Sequence, residues 1–442
     1  MIARLLTDDL PKCRNTCVAS YFSRLGGNAN TNDDYLCFYC QMDENSCLYG
    51  VFEPHNGLDA AKFIMQRMAV EILFPTTSSN NTTDEEIRDR LRNAFVSVEK
   101  AYNENYDAMI AERTSLQYQL QTSESQLSQN SILARLKEID KHLSGGATVV
   151  IALVYNNKLF VANVGETRAL LCKTDDNAVL RVVQLTVDHS LNNEDELLRL
   201  SQLGLDVSKL RNSQYLGNQS GTRCLGNYLV KSLYRGVPAL RAAAASPVLC
   251  APDLLGPVAL DRSCRFLVIV SAGVYKRIQE TRGSSEQTNK QLAQIIVEHF
   301  RKQDFNKVSQ SVLEEIEEEF VSYCVRNNLT PKSNTHMSLL IRNLNFLPPN
   351  EGSNTPKNNV RFNPIVQSKS NTLLNELDEY SSSNMSNSIV DTNRSCESSL
   401  DMYPNERPHD QDKKIKGYVD FSCYYENVAK AKANGSLPPF IE

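Results

Sequence analysis

Residues 48–57 read LYGVFEPHNG. Leu48, Tyr49, Val51 and Phe52 suit a pleated, half-buried surface, so the stretch begins as a strand. Glu53-Pro54-His55-Asn56-Gly57 then turns the backbone, as proline and glycine in sequence do. An acidic residue at the end of a buried strand, followed by His and Gly, is a place to hold a metal or a phosphate. Most such tips are simply polar turns. The stretch gains weight from what lies on either side of it.

Working outward, strands are expected at 35–41 and 47–52, and residues 1–34 read as irregular and polar. After the turn, Ala60, Ile64, Met68 and Ile72 recur every four residues, which predicts a helix over 58–73 with Pro75 just past its end. Thr83 and Glu86 form a capping box that opens a second helix, with Ile87, Leu91, Ala94, Val98 and Tyr102 as its buried stripe. Much of 108–143 is helical, with a break expected near 122–130, where Gln and Ser dominate. Four strands follow at 147–155, 158–164, 167–172 and 179–185. Asn156-Asn157 suits a tight hairpin turn, because Asn tolerates the left-handed conformation. Asn193 and Glu196 open a helix that Gly204 closes. A strand over 265–270 runs into Ser271-Ala272-Gly273-Val274-Tyr275. Helices at 289–301 and 309–326 and a core strand at 338–343 complete the periodic part.

From about residue 347 to 415, Asn, Ser, Pro and charges dominate and apolar periodicity disappears. Such a segment buries too little surface to offset its ordering entropy, so a disordered linker is expected. Residues 416–442 regain periodicity. If Asp420 caps a helix, Val419, Phe421, Tyr424, Tyr425 and Val428 form one face, with Phe421, Tyr425 and Val428 at i, i+4 and i+7. Aromatic anchors on a tethered amphipathic helix fit a helix-in-groove ligand.

Composition narrows the function. A net charge of −5 with both signs interspersed gives no footprint for nucleic acid. No apolar run is long enough to cross a bilayer, and the first residues lack the apolar core of a signal peptide. A cytoplasmic, reducing location is expected, with the twelve cysteines mostly thiols. Cys13, Cys17, Cys37 and Cys40 form a possible-looking four-thiolate set, but Cys37 and Cys40 sit three apart on a strand and face opposite sides, which argues against zinc. His55, His189 and His336 read as ordinary packing residues, and no Ser/His/Asp triad can be argued from spacing.

Several segments together resemble one family, the metal-dependent type 2C protein serine/threonine phosphatases. GVFEPHNG is similar to its D-G-H-x-G turn. GGATVVIALVYNNKLFVANVGETRALL is similar to its G-S-T-A strand and G-D-S-R hairpin, and VDHSLNNEDELLRLSQLG to its D-H segment. SAGVYK is similar to the S-D-G-x-W-D loop, and NTHMSLLI to the late D-N-M-S/T strand. These run in family order across most of residues 20–345. Within the family, TDDLPKC, LFVANVG, NEDELLRLSQLGLD and the terminal YVDFSCYY resemble the adaptor branch that binds TGF-beta-activated kinase.

The resemblance implies an α+β fold: a phosphatase-like β-sandwich flanked by helices over 1–346, then the linker and a short C-terminal helix. Family members hold two divalent metals on oxygen ligands, and the metals deliver hydroxide to phosphorus. The bridging aspartate falls at Glu53 and its partner glycine at Pro54. The loop aspartate falls at Ala272, the next loop acid at Lys276 and the late aspartate at Thr335. Glu166 takes the place of another family acid. A methyl group, a hydroxyl and an ammonium therefore stand where anionic ligands belong, and no catalytic metal pair or other cofactor is expected. The resemblance implies a pseudophosphatase that binds the kinase catalytic domain through Tyr418, Val419, Phe421, Tyr424, Tyr425 and Val428 and promotes its autophosphorylation. An inhibitor-of-apoptosis protein and a stress-activated MAP kinase are further partners implied by the family. The alternative is an active phosphatase with an altered metal site.

Overall fold

The structure is a computed structural model and describes residues 13, 15–22, 36–43, 45–74, 82–122, 126–283, 287–330 and 336–346. All belong to the compact unit Met1–Glu376; the second unit, Leu377–Glu442, lies outside the described residues. The linker and the terminal helix expected from sequence fall outside them too.

In chain order the strands are β1 (Thr16–Phe22), β2 (Cys37–Asp43), β3 (Ser46–His55), β4 (Gly146–Tyr155), β5 (Lys158–Val164) and β6 (Arg168–Thr174). Then come β7 (Leu180–Gln184), β8 (Leu225–Gly226), β9 (Asp253–Ala259), β10 (Cys264–Val270) and β11 (His336–Asn343). The helices are α1 (Leu58–Leu73), α2 (Asp84–Glu104), α3 (Asp107–Thr122), α4 (Gln126–Leu143) and α5 (Glu194–Gln202). They continue with α6 (Val207–Ser213), α7 (Tyr228–Lys231), α8 (Ala272–Arg282), α9 (Thr288–Lys302) and α10 (Phe305–Arg326).

The strands form two antiparallel sheets. One runs β1-β11-β10-β6-β7; the other runs β2-β3-β4-β5-β9, with β8 added to the end of β4. Strand periodicity explains why they stack. In β4, Val149, Ile151 and Leu153 pack outward against α1 and α2, while Val150 and Ala152 point at the other sheet. In β11, Met337, Leu339 and Ile341 face α8, α9 and α10, while Leu340 faces the sandwich interior. Three apolar layers therefore lie between four layers of elements, helix–sheet–sheet–helix, which is the α+β sandwich expected. A satellite cluster of Leu197, Leu200, Leu210, Leu216 and Val230 supports α5 to α7.

Local signals behave as their chemistry dictates. Glu86 N–H donates to the Thr83 hydroxyl and Thr83 N–H to the Glu86 carboxylate, closing the capping box. Asn156 and Asn157 adopt φ of 50° and 59°, the left-handed pair that joins β4 to β5. In the long helical stretch the described helices reach Thr122 and start again at Gln126, and residues 123–125, within the expected break, lie outside the described residues.

Three expectations need correction. The first 34 residues are not all irregular: β1 pairs along its length with β11. The strand after Leu48 does not stop at Glu53 but continues to His55, with Pro54 opposite Ala147 of β4. Pro54 is tolerated because its nitrogen faces the β2 side, as Phe52 N–H does when it donates to Leu36, and β2 begins only at Cys37. Finally, the Ser271–Lys276 segment is not a loop. Ser271 is the N-cap of α8, which starts at Ala272.

Candidate functional site

The end of β3, the β5–β6 hairpin turn and the start of α8 meet at one end of the sandwich. Glu53 leaves the second sheet there and reaches across to the helix that follows β10. Its Oε2 accepts the backbone N–H of Ala272 at 2.9 Å and the Thr167 hydroxyl at 3.4 Å. Thr167 also shares a hydrogen bond with Thr148, the residue directly opposite Glu53 on β4. Burial pushes the Glu53 carboxyl up from the ordinary carboxylate range, against the pull of the Ala272 N–H and the Lys276 ammonium. The carboxylate thus does the work of a helix cap supplied from another strand, at the positive end of the helix dipole.

Ala272 is buried, and its methyl group offers no ligand. One turn further on, Lys276 Nζ donates to Glu166 Oε2 at 2.9 Å. Burial opposes the ammonium, but Glu166 and then Glu53 outweigh it and raise the lysine above its usual value, so it stays charged. Ser220 donates its hydroxyl to the same Glu166 oxygen. Tyr275 donates its hydroxyl to the Glu166 carbonyl at 2.9 Å, and the Arg168 guanidinium lies 3.8 Å above the Tyr275 ring. Arg168 is itself held by Asp188 and Asn289. The helix start is tied to β11 as well: Ser271 N–H donates to Ser338 O, and Ser338 N–H donates back to the Ser271 hydroxyl.

Of the positions the sequence singled out, the structure brings Glu53, Ala272 and Lys276 into one site, with Pro54 on the adjoining strand residue and Glu166 facing Lys276. Thr335 and the tail residues Tyr418, Val419, Phe421, Tyr424, Tyr425 and Val428 lie outside the described residues. His55 shares a hydrogen bond with Asn56. His189 is fully buried: its Nδ1 accepts Gly165 N–H, so its Nε2 donates to Asp253. The sequence reading missed that Thr148, Thr167, Ser220 and Tyr275 complete the site. The hydroxyls carry no distinctive spacing, and their convergence depends on β4 pairing with β3 over a separation of about a hundred residues.

Cys13, Cys17, Cys37 and Cys40 do not converge. Cys17 packs under the α9–α10 layer, Cys40 under α1, and Cys13 and Cys37 between the sheets. Among the described residues, no group of three or more His, Cys, Asp and Glu side chains is placed to hold a metal ion. Nor is any described helix long and apolar enough to cross a membrane.

At this end of the two-sheet sandwich a carboxylate at a strand end caps the helix that follows β10. The profile of protein phosphatase 2C matches residues 19–329, and the chain belongs to that family. A Caenorhabditis elegans relative named "TGF-beta-activated kinase 1 and MAP3K7-binding protein 1" is 27% identical over 257 residues, which are 57% of this chain and 61% of that protein. The chain therefore spans less than two thirds of that relative's length. A Paramecium tetraurelia relative named "Probable protein phosphatase 2C 4" is 26% identical over 259 residues, 58% of this chain and 72% of that protein. The crystal structure of a serine-threonine phosphatase 2C from Toxoplasma gondii aligns with 75% of this chain and 96% of its own at 15% identity, with a TM-score of 0.43.

Proposed function

We propose that this chain is a catalytically inactive phosphatase-like adaptor that binds and activates TGF-beta-activated kinase. One observation carries the inactive half of the reading: the Lys276 ammonium rests on Glu166 while Glu53 accepts the Ala272 N–H. Two carboxylates and one ammonium leave a single net negative charge where two dications would need several. Both carboxylates already have partners. Mg²⁺ and Mn²⁺ need clustered anionic oxygens, and Mg²⁺ sheds its water reluctantly. The donor set does not fit a metal pair.

The adaptor half rests on the nematode relative's printed name and on the tail. Residues 416–442 dock on the kinase catalytic domain, with Tyr418 and Phe421 leading and Val419, Tyr424, Tyr425 and Val428 completing the contact. Docking promotes the kinase's autophosphorylation. Residues 347–415 act as the tether that lets the helix reach its groove, and the phosphatase-like part over 1–346 is the scaffold. The setting is a cytoplasmic MAP kinase cascade in innate immune signalling. The scaffold is the part that would engage an inhibitor-of-apoptosis protein, and a stress-activated MAP kinase is a further partner.

The test is binding of residues 410–442 to the purified kinase catalytic domain. Saturable binding that Phe421→Ala removes is the expected result; equal binding by the variant would defeat the assignment of this face. A second reading, an active serine/threonine phosphatase, is favoured by the phosphatase names of other relatives. Turnover of a phosphopeptide that depends on Mn²⁺ would decide for it.

A further inference from the structure

Two helices remote from the phosphatase-type site expose stripes that complement each other. Along α10, residues 314, 318, 321 and 325 recur every three or four positions and so share one face. They are Glu314, Glu318, Val321 and Val325, and all four are exposed. The other acids of that run are already paired within the chain: Glu315 with His299, Glu317 with Arg277 and Glu319 with Arg282. Glu314 accepts the Gln310 amide but meets no cation among the described residues, and neither does Glu318. Val325 is 71% exposed, although the opposite side of its helix is packed on the first sheet through Val312, Leu313 and Ile316.

α4 carries the reverse order. Leu136, Ile139 and Leu143 are its buried side. The opposite side presents Leu127 and Leu133, 83% and 50% exposed, and then Lys137 and Lys141, exposed as well. Arg135 is held by Glu112 and Glu138, but Lys137 and Lys141 meet no acid among the described residues. From N- to C-terminus, α10 therefore passes from two glutamates to two valines, and α4 from two leucines to two lysines.

We infer that α10 of one copy of this chain docks on α4 of a second copy, with the two helices antiparallel. In that direction Glu314 of one copy meets Lys141 of the other and Glu318 meets Lys137, while Val321 and Val325 cover Leu133 and Leu127. The two glutamates and the two lysines are each separated by about 6 Å of helix rise, so the charge spacings agree. A parallel crossing would set glutamates on leucines and lysines on valines, burying charge against apolar side chains. Both stripes are exposed within the single chain, so neither covers the other. Two acidic stripes repel each other, as do two basic ones, which leaves the acidic-to-basic contact. A two-fold axis would form it twice, α10 to α4 and α4 to α10. Exposed ion pairs contribute little each, and one helix on one helix covers less than a permanent interface does. The association is therefore weak, salt-sensitive and dependent on concentration.

Sedimentation velocity of the full chain, diluted from about 100 to about 1 μM at low salt, tests this. A shift from dimer to monomer on dilution is expected, and raising salt tenfold should weaken the dimer about tenfold. Glu314→Lys/Glu318→Lys should be monomeric alone, and so should Lys137→Glu/Lys141→Glu. An equal mixture of the two should recover the dimer, because each then offers the other a stripe of opposite charge. A chain carrying all four substitutions should recover it unaided, which a misfolded variant cannot do. A parent that stays monomeric throughout the series overturns the inference. So does a dimer that persists in either charge-reversed variant alone, or a mixture that remains monomeric.

Discussion

Lys276 sets the character of the site. Its ammonium takes a position near two carboxylates, Glu166 and Glu53, that would otherwise repel each other. The double variant Ala272→Asp/Lys276→Asp removes that cation and adds two acids, one at a buried position. Four carboxylates then face two dications in formal balance. The variant is expected to melt lower than the parent in EDTA and to recover on adding Mn²⁺, while the parent's melting is insensitive to Mn²⁺. Calorimetric Mn²⁺ titration reads the same contrast; Mn²⁺ binding by the parent would contradict the charge argument.

A second residue-scale prediction concerns Glu196, which is almost wholly buried and holds both Arg199 and Arg223. Burial pushes its carboxyl up, but hydrogen bonds from Arg223 and Arg199 win and hold it down at about 2. A depressed carboxylate contributes stability above its unfolded value near 4.5, and that contribution is lost as pH falls toward the folded value. A shift of this size corresponds to roughly 3 kcal/mol. Urea unfolding of the parent should therefore weaken steeply as pH falls below about 4.5. Glu196→Gln should be less stable than the parent at pH 7 and show a shallower acid slope; parallel pH profiles would refute the assignment.

Among elements, the β5–β6 hairpin is the most constrained part of the site. Gly165 has φ +95°, and a Cβ there would meet Thr148 Cγ2 at 2.3 Å. The His189 backbone N–H and imidazole pin the same residue from both sides. Gly165→Ala is expected to cost roughly 2–4 kcal/mol, from the left-handed backbone and the overpacking together. It should also loosen Thr148 and Thr167 beneath Glu53. Thr83→Ala, which removes the hydroxyl half of the α2 capping box at an exposed position, should cost only about 1 kcal/mol. Denaturant titrations of the two variants should keep this order; a larger loss for Thr83→Ala would mean that helix entry, not the hairpin, limits stability.

The same contrast explains what was legible. The capping box, the Asn156-Asn157 turn and the 58–73 helix are local signals, set by residues three or four apart, and each could be read from the chain. β1 could not, because TCVASYF holds a single β-branched apolar residue and becomes a strand only when β11 pairs with it. β9 was missed because Gly256-Pro257 interrupts it, although Asp253 at its start is the partner His189 needs. The α8 start was hidden for a related reason. SAGVYK has no acid of its own near the helix N-terminus, and the cap carboxylate comes from Glu53, 219 residues away. The individual site positions were therefore visible one by one, whereas the Lys276–Glu166 and Glu53–Ala272 pairings needed the fold.

For the molecule as a whole, the proposed function makes scaffold and kinase contact separable. Among the described residues, the scaffold has four apolar clusters of its own, between Cys13 and Phe346. A tethered ligand gains from this arrangement. Under the proposed function, the 347–415 segment would set an effective concentration for the 416–442 segment near any partner already held by the scaffold, without adding a contact. Deleting 416–442 is accordingly expected to shift the melting temperature by less than about 2 °C while abolishing capture of the kinase catalytic domain. Capture of an inhibitor-of-apoptosis protein, if the scaffold provides it, should survive the deletion. A large loss of thermal stability would place the tail on its own domain instead, and retained kinase capture would move the binding face onto the sandwich. Differential scanning fluorimetry and pull-down on the same preparation distinguish these outcomes.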